Sequence, residues 1–360
     1  MKVISLIGLL LFFQPVRAQY NWSELDAELE SKQQLLGNNL VALVYKGDSL
    51  VYKKEMGGFN SKTVAPIASC SKWLTAALVM QFVDEGKLSL DDKVVKYIPE
   101  FEKYFKSYIT IRHCLSHMTG IEDDDKFLKR ILERRKYSSL EEEVNDFAKK
   151  NIRANAGTDF WYGNVGLNIA GRVLEVISKK KFDILIKTKL FVPLGMTKTT
   201  FTDLNGGAIN PSGGAQSTAD DYMKFLLMLL NKGTYNGKQI LSEASVNEMR
   251  MVRTKQGMIA FAPKAAQGMD YASGSWVVEA KTDTVIITHE GKSKPNSITE
   301  PVSIATCLAS PGLFGTWPMI DYCRGYAYIV FVKNLLGEQR ANEHMALKEI
   351  VDRQINSNCK

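Results

Sequence analysis

The chain has 360 residues, 45% hydrophobic and 24% charged, which excludes a disordered chain and leaves enough length for one large or two intimately packed domains. The 46 Lys and Arg against 39 Asp and Glu leave +7, a mild excess, and the densest charge run, Glu122 to Lys136, mixes both signs as a solvated helix face does rather than a nucleic-acid patch. Five cysteines without close pairing exclude a disulfide-built scaffold, and the four histidines show no metal-ligand spacing, so no metal or cofactor is expected.

Lys2, the apolar run Val3–Phe13, Pro15 and Val16-Arg17-Ala18 read as a signal peptide cleaved after Ala18. The alternative is a short N-terminal anchor, but the run is short for a bilayer. Cleavage removes Lys2 and Arg17, lowering the formal charge from +7 to +5. No other stretch could span a membrane, so the expectation is a mature chain of residues 19–360 exported to a periplasm or secreted.

Residues 20–36 carry an amphipathic helix pattern, and Val41–Tyr45, Lys46-Gly47-Asp48 and Leu50–Lys54 read as a hairpin. Trp73, Leu74, Ala77, Leu78, Gln81 and Phe82 recur at helical spacing, predicting a helix from about Ser69 to Glu85, stopped by Gly86 and buried on most sides. A short helix, Arg112–Ser116, follows Ile109-Thr110-Ile111. Helical patterns then dominate: Leu140–Asn151, Val165–Ser178, Asp183–Leu190 and Ala219–Leu230, with a loop at Asn210–Gly214. From 270 the texture turns to strands, Gly274–Glu279, Asp283–Thr288, Val302–Leu308 and Tyr326–Val332, before a last helix, Ala341–Ile355. Both ends of the chain therefore form one antiparallel sheet (19–68 and 270–360) flanked by terminal helices, with 69–269 as a mainly helical lobe. The Ser69 helix falls at the junction, where clefts form. Cys70 and Cys114 lie in apolar contexts as buried thiols, and Cys307 and Cys323 are the candidate disulfide.

Two motifs carry chemistry. Ser-x-x-Lys occurs three times, at Ser69/Lys72, Ser178/Lys181 and Ser357/Lys360, and only the first opens a long apolar helix. A serine at the positive end of a buried helix, one turn from a poorly solvated lysine, can be an activated nucleophile, because desolvation favours the neutral amine that accepts the hydroxyl proton. Tyr162-Gly163-Asn164 stands directly before the helix at Val165. A phenol there is ordinarily a packing residue, but near a lysine it can relay protons to a leaving group.

With these motifs the chain resembles the serine beta-lactamase-like hydrolases, the group of class C beta-lactamases and penicillin-binding-protein-like enzymes. Matching stretches are Ile67–Lys72, Leu115–Gly120, Gly157–Asn164, Gly213–Asp221 and Gly325–Lys333. The resemblance implies a two-lobed α/β (α+β) fold. It also implies Ser69 as acylated nucleophile, Lys72 and Tyr162 sharing proton transfers, Asn164 orienting substrate and lysine, and His117 as a loop-stabilising residue. The family's third motif, Lys/His-x-Gly on the cleft strand, has two candidates. His289-Glu290-Gly291 has the letters but leads into a polar loop, Lys292–Glu300. Ser310-Pro311-Gly312 lacks the cation but ends a strand run and precedes another; it is the favoured candidate, with N–H groups of Ser69 and Leu313 as oxyanion donors.

The function expected is an exported serine hydrolase cleaving an ester or amide of a small-molecule or peptide-like substrate. Ser310 cannot pair a substrate carboxylate, which weighs against potent beta-lactamase activity. A DD-peptidase or beta-lactamase is the alternative within the class, and a catalytically weak binding protein on the same fold is the alternative outside it.

Overall fold

A computed structural model describes residues 20–123, 137–202, 207–255, 257–289, 296–335 and 337–359. The expected signal peptide, most of the Glu122–Lys136 charge run and Gly291 lie outside the described residues. Helix α1 (Ser23–Leu36) precedes the hairpin β1 (Leu40–Lys46) and β2 (Ser49–Met56). A single 3-10 turn, Ala68–Cys70, leads into α2 (Ser71–Asp84), followed by α3 (Leu140–Lys149), α4 (Val165–Ser178), α5 (Ala219–Leu230) and α6 (Glu243–Arg250). The strands β3 (Asp270–Tyr271), β4 (Trp276–His289), β5 (Asn296–Ala309), β6 (Trp317–Asp321) and β7 (Tyr326–Val332) come next, and α7 (Ala341–Gln354) follows. The seven strands form one sheet in the order β3-β4-β5-β6-β7-β1-β2. Leu40 of β1 pairs with Val332 and Lys46 with Tyr326, so the end of the chain is stitched antiparallel to its beginning.

Helix α2 is the axis of the helical side. Residues Ser71 to Phe82 are all buried, as near-uniform apolarity requires. Its end follows glycine chemistry: Gly86 takes φ +65° while its N–H donates to Val83 and that of Lys87 donates to Phe82. On the other face of the sheet, α1 and α7 cover a second apolar cluster that includes Leu29, Val44, Trp317, Tyr328 and Leu347.

Three expectations are corrected. The two strands expected at 274–279 and 283–288 are one strand, β4, interrupted only by register shifts between Val277 and Ala280. The loop expected at 292–300 is shorter, because β5 begins at Asn296, opposite His289. The disulfide is Cys323–Cys359 and not Cys307–Cys323. The register sets Cys307 opposite Asp321, which leaves Cys323 in the β6–β7 turn, where the tail after α7 crosses and Asn358 N–H donates to the Cys323 carbonyl. Cys307, like Cys70 and Cys114, is a buried free thiol. Beside that turn, Lys348 of α7 binds Glu279 (2.5 Å) and Asp352 (2.6 Å), and Arg324 binds the fully buried Asp321 (3.1 Å), clasping α7 to the sheet.

Candidate active site

Ser69 sits in the middle of the Ala68–Cys70 turn, not within α2 as the spacing predicted. A turn of this kind leaves its first N–H groups without intrahelical partners. Ala68 holds φ +45°, a region that L residues enter at a cost of roughly 1–2 kcal/mol. The surroundings hold it there: Ile67 N–H donates to Ala215, Ala215 N–H donates to the Ser71 hydroxyl (3.0 Å), and the Tyr222 hydroxyl donates to the Cys70 carbonyl (2.8 Å).

Lys72 is 2% exposed, and its Nζ lies 3.2 Å from Ser69 Oγ, 3.5 Å from Asn164 Oδ1 and 3.0 Å from the Ser212 carbonyl. Three oxygens therefore lie within hydrogen-bond reach of one amine nitrogen. The same Nζ stands 4.8 Å from the centre of the Tyr162 ring. Asn164 caps α4 and is fixed in turn: its N–H donates to Asp123 Oδ2 (3.0 Å), and its carbonyl accepts from the Ser212 hydroxyl (2.9 Å). A Cβ at Gly163 would lie 2.0 Å from that Asp123 oxygen, so a side chain between tyrosine and asparagine would have to displace the Asp123 carboxylate. Ser212 N–H donates to Asn168 Oδ1, whose amide donates to the buried Glu143. Sequence reasoning missed Ser212, Asp123 and Asn168. The only available signal was the glycine-rich loop at 210–214, since a backbone carbonyl leaves no side-chain signature.

Tyr162 is 7% exposed, its ring set between His117 (4.7 Å between centroids) and Trp276 (5.0 Å). His117 Nε2 is 3.1 Å from the Tyr271 hydroxyl, and burial pushes that phenol well above its ordinary pKa, keeping it protonated. The loop histidine expected from the resemblance therefore also packs directly on Tyr162.

Ser310, just past β5, is 3% exposed and its Oγ lies 3.5 Å from the carbonyls of both Ser69 and Gly274. Gly312 is wedged against the Ser69 turn: a Cβ there would stand 2.2 Å from the Ile67 carbonyl oxygen and 3.0 Å from Cys70 Sγ. Gly312 N–H donates to Thr316 and Gly315 N–H to Gly312, while the N–H of the half-exposed Leu313 donates to no protein acceptor among the described residues. His289 is elsewhere. It ends β4, 13 residues beyond Trp276 (289 − 276), roughly 40 Å along an extended strand, because β4 runs on without the break expected near residue 280. The two candidate third motifs thus separate, with 310–313 beside Ser69 and 289 at the far end of a ribbon.

A hydroxyl, an amine and a phenol in contact, beside an N–H aimed at no protein acceptor, can pass a proton and hold a developing oxyanion. The family model described as Beta-lactamase matches residues 28–351. The chain belongs to the beta-lactamase family. Among curated proteins, an uncharacterized protein of Mycobacterium tuberculosis is 24% identical, over 78% of this chain and 82% of that one. Among solved structures, a candidate beta-lactamase from Bacteroides dorei is 26% identical, with a TM-score of 0.75 over 93% of this chain and 99% of that one. EstCE1, a hydrolase with promiscuous acyltransferase activity, shares the fold at 17% identity, with a TM-score of 0.68 over 91% and 100% of the two chains. This beta-lactamase family member therefore has the fold of serine hydrolases that act on small substrates.

Proposed function

We propose that this protein is an exported serine hydrolase that cleaves an ester or amide through an acyl-Ser69 intermediate. Ser69 Oγ attacks the carbonyl carbon while its proton passes to the Lys72–Tyr162 pair. The tetrahedral oxyanion accepts hydrogen bonds from the N–H groups of Ser69 and Leu313. Its collapse breaks the scissile bond, and the leaving group takes the proton back from Tyr162. Water then repeats the sequence on the acyl-enzyme and frees Ser69. Asn164 orients both the substrate and Lys72. The observation that carries the reading is the buried Lys72 amine 3.2 Å from Ser69 Oγ.

The uncharged, buried Ser310 supports an esterase, amidase or peptidase over a potent beta-lactamase or DD-peptidase, whose substrates bring a carboxylate. The apolar run Val3–Phe13 ahead of a cleavage site at Ala18 supports export, and so does the Cys323–Cys359 disulfide, which persists in oxidising compartments. A fluorophosphonate probe should label Ser69, as read by mass spectrometry, and Ser69→Ala should lose both label and turnover while keeping its fold. Label on Ser71 or elsewhere removes the assignment. Turnover of p-nitrophenyl esters and D-amino-acid amides should exceed that of nitrocefin, and the reverse order restores the beta-lactamase.

A further inference from the structure

A second concave site lies at the opposite end of the sheet. Ser310 N–H bonds to Pro318, at the cleft end of β6, whereas Tyr322 stands four residues further on (322 − 318), roughly 13 Å along the strand. There a groove of about 540 Å³ opens between α5, α6 and the turns after β1 and β6. Leu230 and Tyr322, with the nearly buried Leu229 and Val246, supply its apolar surface, and Lys46, Lys232, Glu243, Arg250 and Lys281 its charge.

Lys46 and Arg250 have only neutral partners among the described residues. Arg250 lies with its guanidinium carbon 4.0 Å from the centre of the Tyr322 ring. Its Nε donates to the Ala305 carbonyl (3.1 Å) and its Nη1 reaches Asn247 Oδ1 (3.4 Å). Lys46 Nζ donates to the Arg324 carbonyl (2.6 Å). The five other half-buried arginines among the described residues each have a carboxylate within 3.4 Å: Arg112, Arg153, Arg172, Arg253 and Arg324. The other cations of the groove are paired, Lys232 with Glu243 (2.8 Å) and Lys281 with Asp283 (3.6 Å). Burial without a counter-charge pushes Arg250 below its ordinary pKa, in the direction expected of an uncompensated cation. Nη2 of Arg250 has no protein acceptor among the described residues and is not sealed from solvent, so two of its N–H bonds remain for a ligand.

We propose that this groove binds a small organic anion, a carboxylate or phosphate monoester with an apolar tail, its head held by Arg250 and Lys46 and its tail laid on Leu230, Val246 and Tyr322. An anionic head supplies the missing counter-charge, and a guanidinium fork accepts carboxylate and phosphate alike in bidentate geometry. The tail replaces water on the apolar surface, as in small-molecule sites generally. The site is separate from Ser69, so it takes an effector or a carried ligand rather than the hydrolysed substrate.

Calorimetry of the mature chain with octanoate, octyl phosphate and 1-octanol, after blocking Ser69 with fluorophosphonate, tests this. Octanoate and octyl phosphate should bind, and octanol at least about tenfold more weakly, since a charge-assisted hydrogen bond is worth that factor or more. Arg250→Gln and Lys46→Gln should each weaken the anions about tenfold, and Leu230→Trp, at a half-buried position on the groove wall, should remove binding. All three variants should keep the parental Tm within a few degrees and hydrolyse p-nitrophenyl acetate at the parental rate. Equal affinity for octanol, undiminished binding in the variants, or no heat with any anion at millimolar concentration overturns the proposal. A parent that fails to hydrolyse any ester instead overturns the hydrolase reading and leaves this one standing.

Discussion

Gly312 is locked against the Ser69 turn. Replacing it with alanine adds one methyl group, placed 2.2 Å from the Ile67 carbonyl oxygen, where an ordinary carbon–oxygen contact is about 3.3 Å. About 1 Å of movement is therefore needed, and neither side yields freely. Ile67 O accepts the Cys70 N–H that closes the Ser69 turn, and Gly312 N–H is tied to Thr316 at 2.9 Å. The movement separates the turn from the 310–313 segment and so opens the distance between Ser69 and the Leu313 N–H. A misplacement of this size typically costs about 10² in rate, and loss of one oxyanion donor 10²–10³, or roughly 3–4 kcal/mol of transition-state stabilisation. Overpacking should also lower stability by about 1–3 kcal/mol. The assay is kcat/KM on p-nitrophenyl acetate together with Tm. Gly312→Ala should lose at least about 10² in kcat/KM with a modest fall in Tm, and Gly312→Val should be nearly silent. His289→Ala, at the far end of β4, should stay within a few-fold of the parent. A Gly312→Ala enzyme within threefold of the parent, or a dead His289→Ala, refutes the reasoning and moves the third motif to residue 289.

The remaining predictions use the same structure. Lys72→Ala and Tyr162→Phe should each lose roughly 10²–10⁴ in kcat, and the double variant little more, because the two share one proton path; additive losses would assign the chemistry to one of them alone. His344 is wholly buried against Trp317 (4.5 Å), and burial pulls its pKa down to about 3 from an ordinary 6.5. Between those values the unfolded chain takes up a proton that the native state refuses. Stability from denaturant titration should thus fall as pH drops from 6.5 towards 3, by at most about 1.4 kcal/mol per unit, and His344→Phe should flatten that slope relative to the parent. A variant with the parental slope would show that His344 protonates without unfolding. Cys359→Ser opens a link spanning 36 residues, so it should cost about 3–4 kcal/mol on the chain-entropy estimate, with an equal loss in Cys323→Ser and no further loss in the double variant.

Much of this fold is written locally. The apolar run of α2, the hairpin around Gly47 and the Val165–Ser178 and Ala219–Leu230 helices depend on side-chain period and glycine chemistry, which act over a few residues. The Ser69/Lys72 pair is legible for the same reason: three residues along a helical turn bring the two groups together whatever lies around them. Other features depend on register and on what packs across the chain, which no local pattern encodes. The register of β5 on β6 sets Cys307 opposite Asp321, and the bridge goes from Cys323 to Cys359. The unbroken length of β4 carries His289 away from the cleft although its neighbours match the motif better. The partners of Lys72 include the Ser212 carbonyl, 140 residues distant, an atom that every residue type presents alike. Gly163 and Gly312 are glycines because Asp123 and Ile67 occupy the space where a Cβ would be. Sequence alone singled out Ser69, Lys72 and Tyr162 as candidates, since side-chain chemistry is legible in short motifs. Only the tertiary structure set the 310–313 segment, and not His289, beside Ser69, because close approach of one backbone to another is a property of packing.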